Sequence, residues 1–299
     1  MTPIKGWTDN RRLPRIGKIH LGVKGMSSNG KEYPKAVDYF EVHEDGSTSR
    51  ETVAAFREVY GEKPDALDIV FPTDDDILFA DANYKAYGST FGLICKGDGE
   101  VATARWDAQA NGPRPAGIDA GTWANRNTQA WSYMDIPCHG AECPMQKATP
   151  PQCKAVMNLQ FLLPRVRGIG IWQVDTSSWW AIQNIRNNID LIKTATGGRI
   201  RGLELRLRRV SREVTPPGAT KKKVWVLDIY NPLTLAELLS QTAALPAQGL
   251  VRLPSPDDEI PEDLFPEPEN GYTDVEAEWR DAEDASIEDG YEHQGIPVE

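Results

Sequence analysis

Three of the chain's four cysteines, Cys138, Cys143 and Cys153, fall within one short stretch, and the fourth, Cys95, lies upstream in Gly92-Leu93-Ile94-Cys95-Lys96-Gly97-Asp98-Gly99. Thiolates are soft ligands, and their gathering points to a metal. The spacing Cys138-x4-Cys143-x9-Cys153 lacks the paired C-x2-C of standard zinc fingers. Gly140, Pro144, Pro150 and Pro151 nevertheless favour turns, and such a loop can wrap a tetrahedral ion with sulfurs at about 2.3 Å. The reading is a zinc knuckle over 138–153, with Cys95 as fourth ligand and His139 as a substitute. Four protein ligands leave no open position for water, so the zinc would be structural. The competing account is four unrelated thiols buried as small hydrophobes.

No catalytic constellation stands out. The four histidines, His20, His43, His139 and His293, show no metallohydrolase spacing, and no Ser-His-Asp or Cys-His set is visible. Lys96-Gly97-Asp98-Gly99 is too short for a phosphate-binding loop. Asp74-Asp75-Asp76 is a candidate magnesium site, with a solvated acidic turn as the simpler account. The expectation is a protein that is not an enzyme and has no small-molecule substrate.

The basic residues point elsewhere. Arg199 and Arg201 lead into a hairpin flanked by Arg206, Arg208, Arg209, Arg212, Lys221, Lys222 and Lys223. Cations along one strand face offer a track for phosphates. Trp179, beside Trp180 at a helix start, is the candidate for stacking on bases. Trp172 and Trp225, on apolar strands, read as core.

Charge divides the chain. After Leu253 there are 17 acidic residues and one basic residue, Arg280, so residues 254–299 carry −16 against a whole-chain net charge of −11. The body, residues 1–253, is therefore +5. This pairing of a basic body with an acidic tail suggests an anionic partner and an intramolecular competitor for it. The tail is rich in Pro, Asp and Glu and poor in aliphatics, so it reads as disordered. There is no apolar run long enough to span a membrane. Met1 to Trp7 form no apolar signal core, so the expected location is the cytoplasm.

These residues need elements to position them. Arg15 to Gly22 and Val37 to Val42 read as strands, with a loop from Lys24 to Lys35 between them. Thr48 and Glu51 have capping-box spacing and open a helix that Gly61 and Pro64 stop. Leu67–Phe71 is a strand. Phe79 to Tyr87 fits helix or strand. Phe91–Cys95 and Val101–Arg105 form a hairpin about Asp98-Gly99. Gly112 to Pro137 has no clean period and reads as a loop or an insertion. Met157–Pro164 and Gly168–Val174 are strands. Asp175 to Ser178 cap a helix whose Ile182, Ile185, Ile189 and Ile192 share one face. Leu203, Leu205 and Leu207 alternate with charges, Lys223–Tyr230 returns as the partner strand, and Leu233–Leu239 is a short helix.

The order of these segments resembles the recombination-directionality-factor-like family of phage and prophage proteins. The resemblance runs from about Leu13 to Tyr230. It rests on Pro14-Arg15-Ile16-Gly17-Lys18-Ile19, Tyr33 to Phe40, Val59 to Pro64, Ile69-Val70-Phe71-Pro72, Leu93 to Gly99, Leu162-Leu163-Pro164, Gly170 to Ser178 and Ile200 to Leu205. It implies a protein that binds a serine integrase and turns site-specific recombination towards excision without performing strand chemistry. It also implies a metal-binding label, which the cysteines suit. The alternative is a zinc-containing single-stranded-DNA-binding or replication accessory protein with a regulatory acidic tail. The expected fold is α+β: a strand-rich globular body over 1–253, an inserted zinc knuckle, and a disordered acidic tail over 254–299.

Overall fold

The computed structural model describes residues 12–26, 32–88, 92–107, 131–147, 152–214, 222–244 and 253–261. Among them, eleven strands build two sheets. The strands are β1 Arg15–Met26, β2 Glu32–Glu41, β3 Ala66–Val70, β4 Ala80–Gly88, β5 Gly92–Gly97, β6 Val101–Asp107, β7 Trp131–Pro137, β8 Cys153–Phe161, β9 Ile171–Thr176, β10 Glu204–Val214 and β11 Lys222–Tyr230. The large sheet has the order β2-β1-β9-β8-β4-β5-β6-β7, and the small one β11-β10-β3. It is a mixed sheet: β1 and β9 run parallel, and the other described pairs are antiparallel. Helices are few: α1 Arg50–Tyr60, α2 Asp76–Phe79, α3 Trp179–Ala195 and α4 Leu235–Ala244, with a 3-10 turn at Gly140–Glu142. The strand-rich α+β expectation holds.

Local chemistry explains the helix starts. Ser49 caps α1, its side chain accepting from the Thr52 amide. The expected cap, Thr48, instead accepts the Lys18 backbone N–H at 3.0 Å and so pins the approach to α1 against β1. Ser178 caps α3, and Ile182, Ile185, Ile189 and Ile192 are buried on its inner face as their spacing requires.

One hydrophobic cluster runs through β1, β2, α1, β3, β8, β9, α3, β10 and β11. Val70 and Leu162 exchange two backbone hydrogen bonds, at 2.9 and 3.0 Å, tying the small sheet to the chain that leaves β8. Gly17 faces Trp172 across the parallel seam, and a Cβ there would collide with the indole ring.

Several readings of the sequence need correction, and one left open is settled. Lys24–Met26 continues β1 and Glu32–Lys35 belongs to β2, so both ends of the segment read as a loop are strand. Phe79–Tyr87 resolves mainly to strand β4. Trp131–Pro137, placed in a loop, pairs with β6 as β7. Residues 254–261, assigned by composition to a disordered tail, are also seated on the large sheet. Composition reports what a segment can bury by itself, and here the partner surface supplies the contacts. Residues 262–299 lie outside the described residues.

Candidate functional site

β1, β9, β8 and β4 are neighbours, and one face of these strands is polar. Lys18, Gln173, Asp175, Asn158, Gln160 and Lys85 share it, each at most 3% exposed. Strand register sets the grouping: Lys18 stands opposite Gln173, Gln160 opposite Gln173, and Asn158 opposite Asp175. The Asp175 carboxylate accepts from Asn158 at 2.6 Å and Gln173 at 2.7 Å, with the Lys18 ammonium at 3.3 Å. Lys85 donates to Asn158.

The segment Leu253–Pro261 crosses this face as a strap. Pro254, Pro256 and Pro261 have no N–H to give a ladder, so side chains hold it. Gln173 makes a paired contact with the backbone of one residue: its Nε2 donates to the Asp257 carbonyl and its Oε1 accepts the Asp257 N–H, both at 2.9 Å. Asn158 and Gln160 donate to the carbonyls of Asp257 and Pro254, each at 3.3 Å. Cations take the carboxylates: Arg15 lies 3.2 Å from Asp257, Lys18 2.7 Å from Glu259, and Lys85 2.6 Å from Asp258.

The two buried lysines respond differently. Burial works to lower Lys18, but Asp175, Glu259 and Asp257 outweigh it and raise its pKa to about 12. Burial dominates at Lys85, aided by the nearby Lys96, and its pKa is lowered despite Asp258. Asp175 is pushed up by burial, against the pull of Lys18, Asn158 and Gln173. Lys18 and Asp175 thus point opposite ways. We take the pair as ionised, because the carboxylate has two amide donors and an ammonium on it.

The cysteines gather on the opposite face of the same sheet. Ala86 of β4 pairs with Cys95 on one side and Cys153 on the other. Cys138 follows β7, and its sulfur packs over the backbone of Gly97, where a Cβ would lie 2.7 Å from it. Cys143 opens a tight turn, its carbonyl accepting the amides of Gln146 and Lys147. Burial raises Cys95 to about 11, with Cys138 and Cys143 adding to the shift. Cys153 rises to about 12, from burial and then the other three thiols. The four thiols therefore feel one another, but their sulfurs are not drawn into a set within 4.8 Å. Among the described residues, the group that close is His20, His43 and Asp45.

That trio was not legible in spacing. It forms because β1 and β2 pair, with His20 opposite Glu41, which brings His43 over His20 with ring centroids 4.2 Å apart. Asp45 uses one oxygen to accept from Ser47 and Thr48 and points the other at His20, 3.5 Å away.

The arginines proposed for nucleic acid are largely engaged within the protein. Arg206 pairs with Asp68, and Arg208 pairs with Asp228 while stacking on Tyr230. Arg209 is buried and donates to the Val37 carbonyl. Arg201 lies 3.9 Å from Asp74. The Arg199 carbonyl accepts from Thr196. Trp179 packs edge-on against Trp180, and Arg212 covers the Trp180 ring. Lys223 lies over Trp225, Lys222 begins β11, and Lys221 lies outside the described residues.

A family model described as Gp3-like, recombination directionality factor-like, matches residues 16–232. No curated protein and no solved structure matches the chain. No helix among the described residues is long and apolar enough to cross a membrane.

Proposed function

The chain belongs to the recombination directionality factor-like family, and from that premise we propose that it binds a serine integrase and biases recombination towards excision. The observation that carries this reading is the match over 16–232, which takes in both sheets and helices α1 to α3. Such a factor needs no strand chemistry of its own. It needs only a higher affinity for the integrase conformation that synapses excision sites than for the other. A tenfold preference corresponds to about 1.4 kcal/mol. The test is recombination in vitro with the integrase of the same genome and the two attachment sites that flank an integrated element. Integrase alone should leave these sites unrecombined, and adding the protein should produce the excised circle. Unchanged product would overturn the reading.

The same proposal gives Cys95, Cys138, Cys143 and Cys153 a structural zinc. Their shared face and mutual influence support it, as does the soft donor set. Four bonds of about 2.3 Å would require the Cys138–Lys147 turn to draw its thiols inward. Purified protein should carry about one zinc per chain. Cys143→Ser should lose it, and metal-free wild-type protein with unchanged stability would exclude a structural ion.

The second reading, single-stranded DNA binding, draws on Arg206, Arg208 and Arg212 along one face of β10. It predicts salt-sensitive oligonucleotide binding by the protein alone. The internal pairs of Arg206 and Arg208 weigh against it.

A further inference from the structure

We propose that the polar face formed by β1, β9, β8 and β4 is a recognition site for an extended acidic peptide, filled in cis by Pro254–Pro261 and open to an acidic segment of a partner protein. Lys18, Lys85, Asn158, Gln160, Gln173 and Asp175 are all buried, yet they lie on strands whose other face already forms the core. A sheet face of this kind demands an occupant that supplies carboxylates to the cations and backbone groups to the amides. The strap supplies both.

The pattern of contacts selects a peptide. Gln173 grips the N–H and the carbonyl of Asp257 at once. A sugar-phosphate chain carries phosphate oxygens that could satisfy Arg15, Lys18 and Lys85, but it has no backbone N–H for the Gln173 carbonyl. Each acidic residue has a different nearest cation: Asp257 has Arg15, Asp258 has Lys85 and Glu259 has Lys18, with Lys18 also 3.8 Å from Asp257 and Lys96 3.7 Å from Asp258. Tyr87 adds a hydrogen bond to the Glu259 carbonyl, and Arg12 one to the Ser255 hydroxyl.

Two observations argue that this occupant can be exchanged. The polar face lies inside the family match at 16–232, whereas the strap lies beyond it. The buried receiving residues thus lie within the family match, with Arg12 and Arg15 just before it, and the occupant lies outside it. The strap also joins no sheet ladder, and the Glu259 side chain is 65% exposed over its contact with Lys18. An incoming acidic segment can therefore compete for one cation at a time.

The test uses the full chain and a fluorescent nine-residue peptide, Leu-Pro-Ser-Pro-Asp-Asp-Glu-Ile-Pro, copied from Leu253–Pro261. A variant with Asp257→Asn, Asp258→Asn and Glu259→Gln keeps the strap's shape and removes its charge. It should bind the peptide about tenfold or more tightly than wild type does, with affinity falling as salt rises. Adding Gln173→Ala to that variant should weaken binding about tenfold. Equal binding by wild type and variant, or none by either, overturns the proposal. Tighter binding of an oligothymidylate than of the peptide overturns the choice of peptide. Hydrogen exchange on wild-type protein gives an answer that no folding defect can obscure. The Asp257 amide should exchange through local opening, well before the amides of β8 and β9. Exchange only on global unfolding would make the strap a fixed part of the fold and end the proposal.

Discussion

The acidic run Asp74-Asp75-Asp76 shows how residue identity under-determines role. Its three carboxylates neither wait for magnesium nor simply face water. Asp74 accepts the amides of Ile200 and Arg201, both at 2.8 Å. Asp75 caps α2 through the Ile77 amide, and Asp76 pairs with Lys193. Asp74→Ala should therefore cost about 1–3 kcal/mol, because it strands two amides, while Asp74→Asn keeps an acceptor and should cost less. Urea denaturation of the two variants checks this, and equal losses would mean that charge, not hydrogen bonding, is what Asp74 supplies. Lys18 gives a pH-dependent counterpart. Its pKa rises from 10.5 to about 12 on folding. Its contribution is thus complete below pH 10.5 and is lost as pH rises through about 12. A shift of that size is worth about 2 kcal/mol. The stability gap between wild type and Lys18→Met should shrink over that window and stay level between pH 7 and 9, where neither folded nor unfolded Lys18 titrates.

At the scale of elements, the sequence was legible wherever one strand or helix decides its own burial. The isoleucines of α3 and the alternation of β10 predicted those faces correctly, and the Asp98-Gly99 turn predicted the β5–β6 hairpin. What could not be read was cover supplied from far along the chain. In Met157-Asn158-Leu159-Gln160-Phe161 and Trp172-Gln173-Val174-Asp175, apolar and polar residues alternate, which ordinarily means one face in water. Here the polar face is sealed by a strap 84 residues beyond Gln173, and nothing in the local pattern encodes that. The His20, His43 and Asp45 trio was hidden for a related reason, since strand pairing and not spacing assembles it. The cysteines were visible as a group, but the sheet face that gathers them was not. One element contact is sharp enough for a quantitative test. Gly17→Ala places a methyl against the buried Trp172 ring at the β1–β9 seam. Overpacking of this kind costs about 1–3 kcal/mol. The variant should melt lower and show altered indole fluorescence, whereas an unchanged melt would mean that the seam yields without strain.

For the whole molecule, the hydrophobic cluster is unevenly spread across the large sheet. It includes β1, β9, β8 and the start of β4, but no described residue of β5, β6 or β7 belongs to it. Those three strands form the end of the sheet, and the thiols lie where that end meets β4 and β8. A region with ladder hydrogen bonds but little core should open more easily than the rest, unless something else fastens it. The proposed zinc would do so by joining Cys95 on β5, Cys138 after β7 and Cys153 on β8, which lie on or just after three different strands of the sheet. Metal removal should then act locally. After a strong chelator, amides of β5, β6 and β7 should lose protection by about tenfold or more, while those of β9 and β10 keep theirs. Replacing Gly97 by Ala should mimic part of this loss, since the added methyl displaces the Cys138 sulfur from its place over β5. Uniform loss across both sheets would show that the thiols hold up the whole core. No loss anywhere would show that this end of the sheet is held by its ladder alone, and that the thiols are only packed together there.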